Sequence, residues 1–204
     1  MSAVDEWGLI EQVSRKTPDT NVVVGEVIAF ANKHSCPFER VTFDRGGGGK
    51  EHADRMRAMG YNVKTVAFGE SPTLDMRRGK NRLADRQDNR EDRYAFLNRR
   101  AEMYWDLSGL LDPAREQAIN GDRGSHAFGI PVEYAELRRQ LSVLPKLYDG
   151  EGRIYLPPKN KKSETQKVKT LTEMLGCSPD EADSLVLAVH AMLKVHKRST
   201  AGAF

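Results

Sequence analysis

Apolar and polar positions along the chain follow two periods, one typical of helices and one typical of strands. In the first quarter of the chain, the apolar residues that recur at helical spacing are Val24, Val27, Ile28 and Ala31. Capping residues from Asp19 precede them and Pro37 follows, so a helix is predicted between these two points. Residues 39–43 form a short alternating run instead, which predicts a strand that ends at Asp44.

The next segment predicts a strand–helix–strand unit. Four glycines follow Asp44, a helical pattern covers residues 50–59 and ends at Gly60, and a second strand is predicted over 61–68. A helix that joins two strands in this way implies that the strands are parallel neighbours. The pattern therefore predicts an α/β fold.

The remaining pattern predicts fewer strands than helices. Helices are predicted over 94–111, 131–145 and 179–195, with a short strand over 153–156. Residues 69–92 show no period and are predicted to be a flexible loop, and residues 197–204 a disordered tail. The length of 204 residues suits one domain, 1–204, with its core over about 20–195.

The distribution of charge is more informative than its total, which is only +3 with 30% charged residues. Positions 76–100 carry nine arginine or lysine residues against four acidic ones, and positions 158–169 carry five lysines against one glutamate. Two local basic zones favour a ligand with a phosphate backbone. The alternative is that each zone is an ordinary solvated surface.

The number of cysteines and the distribution of apolar residues indicate the cellular compartment. Cys36 and Cys177 are the two cysteines of the chain, and their spacing fits neither a zinc site nor a disulfide framework. No apolar run has the length of a membrane span, and the first residues lack the pattern of a signal peptide. These features predict a soluble, intracellular protein with reduced thiols.

Asp44 is the first candidate for chemistry. It would be the last residue of a strand, and the carboxyl ends of strands in open α/β sheets are where ligands bind. The glycines after it would let the backbone approach a ligand closely, although a simple turn explains them as well. They do not form a phosphate-binding P-loop, since Glu51 follows Lys50 where that motif needs serine or threonine.

Asp180 and Asp183 are the second candidates, three residues apart in the first turns of the last predicted helix. Acidic residues there complement the helix dipole without any further role, which is a sufficient explanation for Asp180. Asp183 borders the predicted buried stripe, where a carboxylate is costly unless it is paired or coordinated. Carboxylates from distant segments without a histidine or cysteine cluster are what two-metal phosphodiester hydrolysis requires.

Several motifs occur together in a specific order that resembles a known family. The motifs are the Asp44–Lys50 glycine run with Asp54, the segments 59–69 and 94–105, Leu156–Lys159 and the segment 175–185. In this order they resemble the C-terminal nuclease domain of tailed-phage terminase large subunits, over about residues 20–195. The resemblance implies an α/β, ribonuclease H-like mixed sheet flanked by helices. It also implies cleavage of concatemeric phage DNA with two Mg²⁺ or Mn²⁺ ions.

The same resemblance implies roles for individual residues. Asp44 and Asp183 would hold the metals, with help from Asp180. The residues that would line the groove for double-stranded DNA are Lys159, Lys161, Lys162, Arg77, Arg78, Arg99 and Arg100. The implied partners are a packaging ATPase domain, the portal and the small terminase subunit, in the bacterial host cytoplasm and away from any membrane.

The chain departs from the family at its beginning. The family's first catalytic aspartate lies in an opening strand ahead of a two-stranded antiparallel extension, and about 20 residues before the first helix are too few for three strands. Asp5 is the sole candidate for that aspartate. We therefore expect the opening strand to be absent. The alternative function is a truncated, catalytically inactive remnant that binds DNA or a packaging partner.

Overall fold

A computed structural model describes residues 1–16, 19–73, 95–112, 128–161 and 168–199, with the side chains of 195–199 left out. The strands are β1 (Ser2–Asp5), β2 (Gly8–Gln12), β3 (Thr42–Asp44), β4 (Lys64–Val66), β5 (Leu147–Tyr148) and β6 (Ile154–Tyr155). The helices are α1 (Thr20–Lys33), α2 (Gly49–Ala58), α3 (Arg99–Leu111), α4 (Ala135–Ser142), α5 (Leu171–Leu175) and α6 (Asp180–Ser199). Among the described residues, none of these helices is long and apolar enough to cross a membrane.

The strands form three small two-stranded sheets flanked by helices. β1 and β2 are antiparallel, β3 and β4 are parallel, and β5 and β6 are antiparallel. The parallel pair joined by α2 confirms the predicted strand–helix–strand unit. Helix α6 packs against β1, β2 and β3 as well as α3 and α4, so it connects the β1–β2 sheet with the β3–β4 sheet.

The described residues form two hydrophobic clusters. The larger one joins α3, α4 and α6, with Leu107, Leu137 and Val186 almost inaccessible to solvent. The smaller one joins α1 and α2 through Val24, Val27, Ala53, Met56 and Val63. The apolar stripe predicted for α6 is confirmed, because Ala182, Val186 and Val189 are fully buried.

Several element boundaries differ from the predictions. Helix α3 begins at Arg99 rather than 94, because the Asn98 side chain accepts the backbone N–H of Ala101 and so caps the helix there. Helix α4 begins at Ala135 rather than 131. Residues 2–12, for which no element was predicted, form two strands.

Helix α6 continues to Ser199, so residues 197–199 of the expected tail are helical. Residues 200–204 and most of the predicted loop, residues 74–92, lie outside the described part of the chain.

The glycine run places β3 and α2 in close contact. A Cβ added at Gly49, the first residue of α2, would lie 1.9 Å from the backbone oxygen of Asp44. Only a residue without a side chain lets the helix begin this close to the end of the strand. Gly48, which precedes it, has a φ of 88°.

We predict that Gly49→Ala lowers the free energy of unfolding by about 1–3 kcal/mol, because the new methyl group forces α2 away from β3. Gly25→Ala is the matched control, since nothing lies within 4 Å of a Cβ there. In the middle of α1 that change should stabilise the protein by about 0.5–1 kcal/mol. Urea denaturation of both variants measures these changes, and equal stabilities would contradict the proposed contact.

Candidate active site

Asp183 is a buried carboxylate in the first turns of α6. Its residue exposure is 8%. The oxygen Oδ1 accepts hydrogen bonds from Nη2 of Arg100 at 2.9 Å and from the hydroxyl of Tyr104 at 2.7 Å. The other oxygen, Oδ2, lies 3.6 Å from Nζ of Lys159. One oxygen is therefore held by α3, and the other faces the lysine.

Helix α3 supplies both partners of Asp183 from one face. Arg100 and Tyr104 are four residues apart, so their side chains project in the same direction. The guanidinium carbon of Arg100 also lies 5.6 Å from the ring centroid of Phe68 and 5.5 Å from that of Tyr104. These aromatic faces surround a cation that would be costly to bury alone.

The surroundings of this cluster keep the Tyr104 hydroxyl neutral and the Arg100 guanidinium charged. Burial raises the pKa of the Tyr104 hydroxyl well above its ordinary value, and the Asp183 carboxylate raises it further, so the hydroxyl remains a donor. Burial acts to lower the pKa of Arg100, but the charge and hydrogen bond of Asp183 outweigh it and the pKa is raised. The pair is thus an ion pair with an additional neutral donor.

Asp180 lies one turn earlier on the same helix and is more exposed. Its Oδ1 accepts from Nζ of Lys159 at 2.6 Å and from the hydroxyl of Ser178 at 2.6 Å. Burial acts to raise the pKa of Asp180, but these two hydrogen bonds lower it overall. Lys159 Nζ therefore lies between an oxygen of Asp180 and an oxygen of Asp183. A metal ion bound by both carboxylates would compete with the lysine for this position.

Asp44 is the last residue of β3, as predicted. Its Oδ1 accepts the backbone N–H of Gly46 at 3.2 Å, a local contact within the glycine turn. Asp44, Asp180, Asp183 and Lys159 all line one cavity of about 680 Å³. Among the described residues, no three histidine, cysteine or acidic side chains are grouped closely enough to hold a metal ion.

Asp5 also lines this cavity, but its carboxylate is engaged in hydrogen bonds to the turn between β1 and β2. Its Oδ1 accepts the backbone N–H groups of Trp7 at 2.9 Å and Gly8 at 3.0 Å, between β1 and β2. At the other end of β1, the hydroxyls of Ser2 and Ser184 of α6 are 2.9 Å apart. Ser2 and Asp5 are three residue steps apart, which is about 10 Å along a strand. The absence of the family's opening strand stays a prediction.

The residues expected to line a DNA groove lie in different environments. Arg100 is buried against Asp183, and the Arg99 side chain is 13% exposed and paired with Glu102 at 2.7 Å. Neither has the open surface that a contact with a phosphate backbone needs. Lys159 is held by the acidic pair, and Lys161 is exposed. Arg77, Arg78 and Lys162 lie outside the described residues.

The sequence did not predict that Arg100 and Tyr104 are partners of Asp183. Arg100 was counted with the basic zone and Tyr104 with the apolar stripe of its helix. Their spacing of four residues was visible in the sequence, but their common partner lies 83 and 79 positions away.

Comparison with solved structures identifies the fold. The nuclease domain of the large terminase subunit gp2 of bacterial virus Sf6 matches with a TM-score of 0.63 and 17% identity, covering 93% of this chain and 80% of that one. A variant of that domain with manganese matches with a TM-score of 0.61 and 15% identity, covering 93% and 81%. A variant with calcium matches with a TM-score of 0.61 and 16% identity, covering 93% and 80%.

These matches show that the chain has the fold of that nuclease domain. The predicted α/β class, with sheet strands flanked by helices, is thereby confirmed. No family model and no curated protein matches the sequence.

We predict that Arg100→Met lowers the free energy of unfolding by about 3–5 kcal/mol, because it leaves the Asp183 carboxylate buried without its counter-ion. The double variant Arg100→Met/Asp183→Leu should recover most of this loss, since both charges are then removed. Arg15→Met is the matched control at an exposed ion pair with Glu26, where about 0–1 kcal/mol is expected. Chemical denaturation distinguishes these cases. A loss for Arg100→Met no larger than that of the control would show that the buried pair contributes little.

Proposed function

We propose that this chain is the nuclease domain of a phage DNA-packaging terminase, acting on double-stranded DNA by metal-dependent phosphodiester hydrolysis. The observation that carries the proposal is the set of Asp44, Asp180 and Asp183 around one cavity, in a chain with the fold of a terminase nuclease domain. By the same resemblance, its partners would be the packaging ATPase domain, the portal and the small terminase subunit, in the host cytoplasm.

The donor set suits Mg²⁺ or Mn²⁺, because both are hard cations that prefer carboxylate oxygens. Asp180 and Asp183 already share one cation, the ammonium group of Lys159, at 2.6 and 3.6 Å. Asp44 and Asp183 would hold the metals, with Asp180 assisting. Two bound ions would supply an activated water and stabilise the leaving oxygen.

The chain's own residues have distinct roles in this proposal. Arg100 and Tyr104 orient Asp183 so that Oδ2 alone faces the neighbouring cation. Gly46 fixes the Asp44 carboxylate through its backbone N–H. Lys161 remains exposed and is proposed to contact the DNA backbone, together with Lys162, Arg77 and Arg78.

We predict that Asp44→Asn abolishes Mn²⁺-dependent nicking of supercoiled plasmid, by at least about 100-fold, since even partners outside the first ligand shell are worth about 10–100-fold. An asparagine oxygen still accepts from Gly46, so the turn is kept while the charge is lost. Asp54→Asn is the control, because Asp54 is exposed on α2 and paired with Arg57. Asp183→Asn is less informative, since it also removes the counter-ion of Arg100. Unchanged nicking by Asp44→Asn would defeat the assignment.

Calorimetric titration with Mn²⁺ beside the nicking assay separates this function from the alternative. Binding of the metal with no nicking by the unmodified chain would favour the inactive remnant that binds DNA or a packaging partner.

We predict that Lys159→Ala tightens Mn²⁺ binding by up to about fivefold, because about 1 kcal/mol is the most that a partly exposed ion pair contributes. The substitution removes the cation that occupies the space between Asp180 and Asp183. Lys161→Ala is the control, since that lysine is exposed. Calorimetric titration measures both. Weaker binding after Lys159→Ala would show that the lysine assists the metal rather than competing with it.

A further inference from the structure

Two strand edges in this structure face each other across the same cavity. β1 pairs with β2 and β3 pairs with β4, and within the described residues neither β1 nor β3 has a strand partner on its other side. All residues of Ser2–Asp5 and of Thr42–Asp44 line the cavity. Each such edge presents a row of backbone N–H and C=O groups that another strand can pair with.

Two helices also line the cavity with apolar residues. Helix α1 contributes Val27, Phe30 and Ala31, and helix α6 contributes Leu187, Ala188 and Met192, beyond the acidic end of the cavity at Asp180 and Asp183. Two unpaired strand edges with apolar helix residues beside them form the environment of an inner strand in an α/β sheet. We call this space the slot.

The division of the core supports this interpretation of the slot. A domain usually has one contiguous hydrophobic core, whereas the buried residues in the described part of this chain form two separate clusters. Val4, Leu187 and Met192 belong to one cluster, and Val27 and Phe43 belong to the other, yet all of them line the slot. Its volume of about 680 Å³ leaves room for a short extended segment of polypeptide.

We propose that the slot binds an extended apolar strand of a partner polypeptide, which pairs with β1 on one side and β3 on the other. Such a strand would join two small sheets into one five-stranded sheet, β2–β1–partner–β3–β4. Main-chain hydrogen bonds to both edges supply affinity, and the apolar helix faces select the side chains. A strand that is buried on both faces consists of apolar residues at every position. The partner segment is therefore about five consecutive aliphatic residues.

A small apolar ligand would fill the same volume but would not bond to both edges. The distinguishing property is therefore protection of backbone amides in β1 and β3 together. The slot belongs to the same cavity that Asp44, Asp180 and Asp183 line, but amide protection is measured without metal or DNA, so its failure is distinguishable from a failure of the proposed function.

The experiment attaches a probe strand of five alternating valine and leucine residues to the chain through a flexible glycine–serine linker of about 15 residues, which gives a millimolar effective concentration. Amide hydrogen exchange is then compared with the untagged chain. We expect at least about tenfold slower exchange in both β1 and β3, together with a higher Tm. The matched control probe has proline at its second, third and fourth positions, which removes N–H donors toward both strand edges.

Four outcomes would overturn the proposal. Equal protection by the proline probe would show apolar filling without strand pairing, and protection of one strand alone would show ordinary edge pairing. Protection that rises with the concentration of the untagged chain would assign the slot to a second copy. Ala188→Phe fills the slot, so this variant, if folded by circular dichroism, should show no added protection from the probe. Retained protection in Ala188→Phe would also contradict the proposal.

Discussion

The ion pair between Asp183 and Arg100 is the interaction on which the site depends. A carboxylate at 8% exposure would be strongly destabilising without partners, and here α3 supplies a guanidinium and a hydroxyl to the same oxygen. This arrangement joins α3 to α6 and leaves the second oxygen of Asp183 facing Lys159. The geometry that stabilises the fold is therefore also the geometry that presents a carboxylate to a cation.

The cavity beside this pair connects the chemistry with the architecture. Its lining contains acidic side chains, residues of the β1 and β3 strands, and apolar residues of α1 and α6. The match to a terminase nuclease domain at 17% identity establishes the fold, while the chemistry depends on the individual residues in this chain. A strand in the slot would join the two halves of the core and bring the separate sheets into register.

The parts of the fold that were predicted correctly are those with a strong local signal. Helix α1 has an apolar stripe and an Asp19 cap, and α2 lies between two short strands after a glycine run. The strands β1 and β2 were missed because four or five residues carry too little periodicity to stand out. The start of α3 was placed too early, because apolar residues before Asn98 continued the helical spacing although Asn98 caps the helix.

By itself, the sequence determined the local elements and the position of each acid at a strand end or helix start, because periodicity and capping act over a few neighbouring residues. Tertiary structure decided the partners. Arg100 looked like part of a basic surface, and only the packing of α3 on α6 made it the counter-ion of a residue 83 positions away. The slot likewise arises from how the sheets and helices meet. Contacts at such separations depend on the path of the whole chain, which no local pattern records.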